Sequence, residues 1–474
     1  MLCKYRQNLT NRRQWLQSAS CGFGGLALSG LAAQSARGDT VQDNLFQKPH
    51  HPPKAKRVVF IFLKGGPPQL DLFDYKPELV KRHGERPPFA MDPRFAQVGM
   101  QNTKLFQPIG KLSRVGQSGM WMSEFLPHLA KQADKLCMMK ACDTDTPAHP
   151  TATQQIHTGS PNLVRPSTGA WVTYGLGSEN ENLPGFITID PIANQGGPRN
   201  YGTAFLPATY QGTPVFDGKI RHLGSNGFPA TAQRKQLEYL SRMNRQHLAS
   251  AGDDDGLDAM IRSHELAFRM QSEAPAVLDL SSESQATQKL YGIGENETDE
   301  MGRRLLLARR FAEAGVRFIQ VTSPGGWDHH GGIAKQLPKS CHSVDRPIAG
   351  FLQDLASRGL LEDTLVWCSG EFGRTPFDQD LSDGNGTAKN YGRGHHPQGY
   401  ACFFAGGGVR GDFSYGETDD FGFRGIAQKA HLHDLHATML HLLGLDHERL
   451  TYRYAGRDFR LTDVYGRVVD DIFA

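Results

Sequence analysis

Four short runs of consecutive apolar residues stand out from an otherwise mixed chain: Arg57-Val58-Val59-Phe60-Ile61-Phe62-Leu63, Val316-Arg317-Phe318-Ile319-Gln320-Val321, Thr364-Leu365-Val366-Trp367-Cys368 and Tyr400-Ala401-Cys402-Phe403-Phe404-Ala405. They are five to seven residues long and rich in β-branched and aromatic side chains, with little apolar/polar alternation. That is the pattern of strands buried on both faces of a parallel sheet. Between them the apolar period lengthens to that of helices, over 303–314, 348–357 and 433–443. Strands alternating with helices predict an α/β fold: a mostly parallel central sheet with helices on both faces. Residues 230–275 are charged and helix-forming, interrupted by Gly252-Asp253-Asp254-Asp255-Gly256. We read 230–300 as a helical insertion in one domain spanning 56–474.

The N-terminal pattern is different. Arg12-Arg13 precedes Gln14-Trp15-Leu16, then a weakly apolar run from Cys21 to Leu31, then small residues through Ala36. This is the order of an export signal of the twin-arginine type, which places the signal at 1–36 and a polar linker at 37–55. The run is shorter than the ~20 apolar residues that span a bilayer. Cys21 precedes most of it, which argues against a lipid anchor. Resemblance to such signals implies export of an already folded chain to the periplasm or beyond. A net charge of +3 over 474 residues gives no basic footprint for nucleic acid or an anionic membrane. Cys137, Cys142, Cys341, Cys368 and Cys402 remain after the signal, with no CxxC spacing. A zinc cage, a haem or an iron–sulfur cluster is therefore not indicated. Export permits one or two disulfides, and Cys368, inside a strand, reads as a buried thiol.

Chemistry gathers at the strand ends, where open parallel sheets bind ligands. Gly65-Gly66-Pro67-Pro68 with Asp71 and Asp74 follows the first strand, Gly325-Gly326-Trp327-Asp328-His329-His330 the second, and Gly370-Glu371-Phe372-Gly373-Arg374 the third. Gly392-Arg393-Gly394-His395-His396 precedes the fourth. Singly, each Asp or His has an ordinary role as a helix cap or a hydrogen-bonded core residue. Jointly they point to a first-row divalent metal held by mixed oxygen and nitrogen donors, since ten of the nineteen histidines lie beyond residue 325.

The strand and turn Asp363–Gly373 and the helix His433–Leu445 resemble segments of sulfatases and phosphatases. Gly65-Gly66-Pro67, Trp327-Asp328-His329-His330, Glu371-Phe372-Gly373-Arg374-Thr375-Pro376, Gly392-Arg393-Gly394-His395 and Gly456–Asp463 together resemble the exported domain-of-unknown-function family 1501, placed with the alkaline phosphatase-like hydrolases. The resemblance implies that fold and the metal ligands Asp71 (Asp74 as second choice), Asp328, His330, Glu371 and His395 (His396 as alternate). The ions implied are divalent, Zn, Ca, Mg or Mn, one or two in number. Phe372 replaces the histidine of an Asp-His pair, which argues for one ion or a weaker second. Gly394 stands where family members more often carry Asp. His149, nine residues before Thr158-Gly159, stands where the superfamily places its Ser or Cys nucleophile. Its role stays open between ligand, general base, covalent acceptor and mere helix cap, with Thr151 and Thr153 as other nucleophiles. Arg374 would orient an anionic substrate. The function implied is an exported metal-dependent hydrolase acting on phosphate or sulfate esters or a related small anionic or polysaccharide-derived substrate. The alternative is a non-catalytic secreted binding or assembly protein on the same fold.

Overall fold

The structure, a computed structural model, describes residues 48–90, 103–224, 229–251, 255–379 and 391–474. The export signal and the linker up to residue 47 lie outside the described residues. No helix among those described is long and apolar enough to cross a membrane.

A ten-stranded sheet forms the centre. Its strands are β1 (Arg57–Phe62), β2 (Leu136–Asp143), β3 (Phe186–Ile189), β4 (Thr213–Phe216), β5 (Lys219–Ile220), β6 (Phe318–Thr322), β7 (Thr364–Ser369), β10 (Tyr400–Ala405), β11 (Phe413–Tyr415) and β12 (Ala430–His431). A separate antiparallel hairpin, β8 (Gly373–Gln379) and β9 (Gly392–His396), stands between β7 and β10 in the chain. The sheet order is β11-β2-β10-β7-β1-β6-β3-β4-β5, with β12 also paired to β2. At the centre β1 is parallel to both neighbours, Val59 facing Ile319 of β6 and Val366 of β7.

β1 shows how the apolar runs build this architecture. All six of its residues are buried. Val59 and Ile61 join one apolar cluster, while Val58, Phe60 and Phe62 join another. Successive side chains of a strand point to opposite faces, so a run without alternation requires a core on each side. The first core is completed by α5 (Asp299–Glu313) and α6 (Ile333–Ser357) through Leu305, Phe311 and Leu352. The second is completed by α1 (His149–Thr158), α2 (Thr168–Leu176) and α7 (Leu432–Leu442) through Ile156, Trp171 and Met439. Residues 230–278 form two further helices, α3 (Ala230–Ala251) and α4 (Asp255–Leu278).

Two expectations need correction. The fourth apolar run, β10, is antiparallel to both β7 and β2. A parallel return needs a crossover, usually helical, whereas β7 and β10 are joined through the β8–β9 hairpin. No disulfide forms among the described residues either: their five cysteines are free and buried. Cys142 and Cys402 approach to 3.8 Å, against about 2.05 Å for a disulfide bond. Burial pushes the Cys368 thiol well above its usual range.

Candidate metal centre

The site lies at the carboxyl edge of the sheet, assembled from loops that follow parallel strands and from the hairpin that precedes antiparallel β10. After β1 the chain turns through Lys64-Gly65. Gly65 has φ +110°, and a Cβ there would lie 2.7 Å from the Trp327 amide nitrogen and 2.9 Å from that of Asp328. Glycine is what lets the loop after β6 press against the loop after β1, where the Trp327 N–H donates to the Lys64 carbonyl at 2.9 Å. β9 makes a similar approach. A Cβ on Gly392 would stand 2.2 Å from the His330 carbonyl carbon, and the Arg393 N–H donates to the His329 carbonyl at 3.0 Å. Asp328, His330 and His395 are thereby forced together.

His149 arrives from the other side. It is the first residue of α1, whose N-cap is Ala148 and carries no side-chain cap. Its ring nitrogens lie against Glu371 and Asp328, so it is not a helix cap. His149, Asp328, His330 and His395 place one donor atom each within 4.8 Å of one another. Asp328 Oδ1 is the centre. His149 Nε2 lies 3.1 Å from it, His330 Nε2 2.8 Å and His395 Nε2 3.1 Å. The Nε2 atoms of His330 and His395 are 2.8 Å apart.

The outer contacts fix which ring nitrogens point inward. His149 Nδ1 is 2.5 Å from Glu371 Oε1, and His330 Nδ1 is 2.5 Å from Gln379 Oε1. Both partners are acceptors, so Nδ1–H donates and a neutral ring turns the Nε2 lone pair toward Asp328. His149 Nε2 is buried and makes no hydrogen bond of acceptable geometry despite its closeness to the carboxylate. Lone pairs of several imidazoles aimed at a carboxylate repel unless a proton or a cation stands between them, and this donor set fits a divalent cation. Donor atoms 2.8–3.1 Å from Asp328 Oδ1, and all within 4.8 Å of one another, lie close enough together for one small cation to reach. Without a cation a proton takes that place. Burial opposes charge on His149, yet the adjacent carboxylates of Asp328 and Glu371 raise it to about 9. Burial lowers His395 to about 4. Asp328, against its own desolvation, is held far below the usual carboxylate range by the three histidines and Arg374.

The remaining sequence-derived residues fall outside this donor set. Asp71 is fully buried and belongs to an ion pair: Arg393 Nε is 2.7 Å from its Oδ2, and the Ile109 N–H donates to its Oδ1 at 2.7 Å. Asp74 is bound by Lys76 at 3.2 Å and by the Thr418 hydroxyl. Glu371 stands behind His149, with both oxygens accepting from the Gly65 N–H at 3.0 Å. It positions a ligand and is not one of the four donors. Arg374 is buried and spends its N–H groups on the carbonyls of Gly65, Gly66, Arg393 and Trp327 and on Asp328 Oδ1, the last at 2.6 Å. It pins the aspartate and offers nothing to a substrate. His396 is buried, stacked on Phe423 and bonded to the Phe423 carbonyl at 2.5 Å. Thr151 and Thr153 bond to Ala148 and Gln195. Phe372 packs its ring 4.8 Å from His149 and 4.7 Å from His395, an apolar wall beside the cluster.

A cavity of about 290 Å³ opens beside the cluster, lined by Lys64, Gly65, His149, Arg304, Asp328 and the loop Asp190–Gln195. Gln379, Lys64 and the 190–195 loop had not been singled out in the sequence. Only the glycine-flanked position of Lys64 after β1 could have marked it.

Comparison with known proteins follows this geometry. A family described as "Protein of unknown function (DUF1501)" matches residues 55–473. No curated protein matches. Among solved structures, the lipoteichoic acid synthase LtaP of Listeria monocytogenes is 11% identical, with 88% of this chain and 78% of that one covered at a TM-score of 0.34. The PsFucS1 sulfatase of Pseudoalteromonas sp. is 11% identical, with 90% and 72% covered at 0.35. The alkaline phosphatase of the Antarctic bacterium TAB5 is 10% identical, with 82% and 98% covered at 0.34. Likenesses at this score lend no weight to a function.

Proposed function

We propose, for a chain that belongs to the DUF1501 family, that it is a metal-dependent hydrolase acting on phosphate or sulfate esters or a related anionic group. The observation that carries this reading is the convergence of His149, Asp328, His330 and His395 on one point beside a cavity. These four would hold one divalent ion. Three imidazoles and one carboxylate suit zinc or a similar first-row metal better than calcium or magnesium, which favour oxygen donors. Such an ion, when bound, supplies Lewis-acid polarisation of an ester oxygen.

The chain's own residues do the rest. Glu371 and Gln379 keep His149 and His330 in the tautomer that presents Nε2 to the site. Arg374 offsets one of the two carboxylates, leaving a local excess of negative charge that a cation balances. The cavity supplies room for the ester and for water, which would be the nucleophile, since α1 offers no serine or cysteine. In the same reading the twin-arginine segment exports the chain, residues 1–36 being removed, and the protein works in the periplasm or outside the cell.

The test is turnover of an aryl phosphate and an aryl sulfate by zinc- and manganese-loaded protein, together with elemental analysis. We expect one equivalent of metal and turnover that a chelator removes. His149→Ala and Asp328→Ala should each lower turnover by about a hundredfold or more. Activity untouched by both substitutions would remove the assignment. One observation favours a second reading, a binding or assembly protein on this fold: Thr151 and Thr153, the hydroxyls of α1 nearest His149 in sequence, are bonded elsewhere. Bound metal without turnover of either ester would select it.

A further inference from the structure

Two cations, Lys64 and Arg304, line the cavity beside the cluster, and they differ in how they are spent. Arg304 is fully committed: its Nε lies 2.9 Å from Asp190 Oδ2, one terminal nitrogen donates to the Thr322 carbonyl at 2.6 Å, and the other pairs with Glu300. Asp190 in turn accepts from the Asp217 N–H at 3.0 Å. Lys64 has no such tie. It is half-buried, on the backbone adjoining Gly65, and its ammonium makes no hydrogen bond or salt bridge with any described residue. Buried or half-buried charge is normally paired. Here the partner is missing where the cavity is open. Burial, and then the nearby Arg304, lower Lys64 below the ordinary ammonium range against the opposing pull of Glu300 and Asp190, so an incoming anion would relieve a cost that those carboxylates leave in place.

We propose that Lys64 is the anchor for the oxyanion of the substrate, in the place the sequence reading gave to Arg374. The ligand class is a tetrahedral oxyanion carrying unesterified oxygens, phosphate or sulfate. Its charged oxygens are taken by Lys64, and its reacting side faces Asp328 and His149. Gln195 supports the same end: Thr153 Oγ1 holds its Oε1 at 3.4 Å, which leaves its amide N–H₂ for the cavity it lines. The inference rests on the hydrolase reading for the identity of the reacting group, but anion binding by Lys64 stands or falls separately.

The experiment is equilibrium binding of inorganic phosphate and, in a second arm, inorganic sulfate to the zinc-loaded full-length protein, with turnover measured on the same samples. Wild-type protein should bind at least one of the two, and the arm that binds names the oxyanion. Lys64→Ala should weaken that binding by about tenfold or more, the scale of one charge-assisted hydrogen bond, and Lys64→Arg should recover most of it. Metal content and melting temperature of the variants should stay at wild-type values, since Lys64 ties nothing together in the fold. Equal binding by wild type and Lys64→Ala, or no binding of either anion by wild type, overturns the proposal. Lys64-dependent binding without turnover leaves the anchor in place and removes the hydrolase. Turnover whose KM ignores Lys64→Ala does the reverse.

Discussion

Asp328 and Asp71 are the same side chain with opposite fates. Both follow buried strands and both read as metal ligands in the sequence. Asp328 stays half-open, with three imidazole nitrogens within 3.1 Å of one oxygen. Asp71 is sealed against Arg393, both side chains fully buried. What separates them is a partner some 320 positions away, which no local pattern announces. Removing one member of such a pair leaves the other charge uncompensated, typically at about 3–5 kcal/mol. Asp71→Ala should therefore lower the denaturation midpoint by that order while purified protein keeps its metal. Loss of metal at unchanged stability would return Asp71 to the ligand set. The same logic explains which site residues were legible. Asp328, His330 and His395 sit beside glycines at strand ends, so their position gave them away. Gln379 carries no signature and Lys64 only the glycine that follows it, because a lone lysine or glutamine looks alike on any surface. Glu371, expected among the donors, stands behind His149 and outside the four-residue cluster, since the depth of a side chain is set by what packs in front of it.

At the scale of elements, the site depends on two loops that touch only because a glycine lets them. Gly65 combines φ +110° with backbone of the next loop 2.7 Å from where its Cβ would be. An alanine there must move the loop carrying Asp328 and His330 while leaving strands β1 and β6 paired. Gly65→Ala should weaken metal binding by about 10–100-fold, as outer-shell changes at metal sites do, with the circular dichroism spectrum unchanged. Metal affinity equal to wild type would mean that the loop contact does not position the cluster. Elements also show where pattern reading stops. α6 runs from Ile333 to Ser357 through Pro338 and Pro347, yet the pattern marked only its second half, because proline is the residue that ordinarily ends or kinks a helix. β2, Leu136-Cys137-Met138-Met139-Lys140-Ala141-Cys142-Asp143, lacks β-branched residues and went unmarked; its place between β10 and β11 comes from pairing, not propensity.

Across the whole molecule, the second core packs against imidazoles that are buried from solvent. His157 lies with its ring against Phe60 and Phe62, and His436 against Trp367. Burial lowers His157 to about 4, and burial with nearby His433 lowers His436 to about 3. Unfolded, both would titrate near 6.5. Between those limits the unfolded chain binds more protons, so stability is complete above about 6.5 and declines as pH falls toward 4. Urea midpoints measured with a chelator present should drop steadily over that interval. A flat profile would show that these rings are hydrated or charged in the native state.

The sequence by itself determined the class of fold and the edge at which its chemistry lies. Continuous apolar runs can be satisfied only between two layers of helices, and the loops after such strands collect at one edge of the sheet. The tertiary structure alone decided the direction of β10, the burial of Asp71 and Arg374 as structural charges, and the meeting of His149 with three residues far along the chain. Those outcomes follow from distance in space and from which partner reaches a charge first, and neither is written in the order of residues.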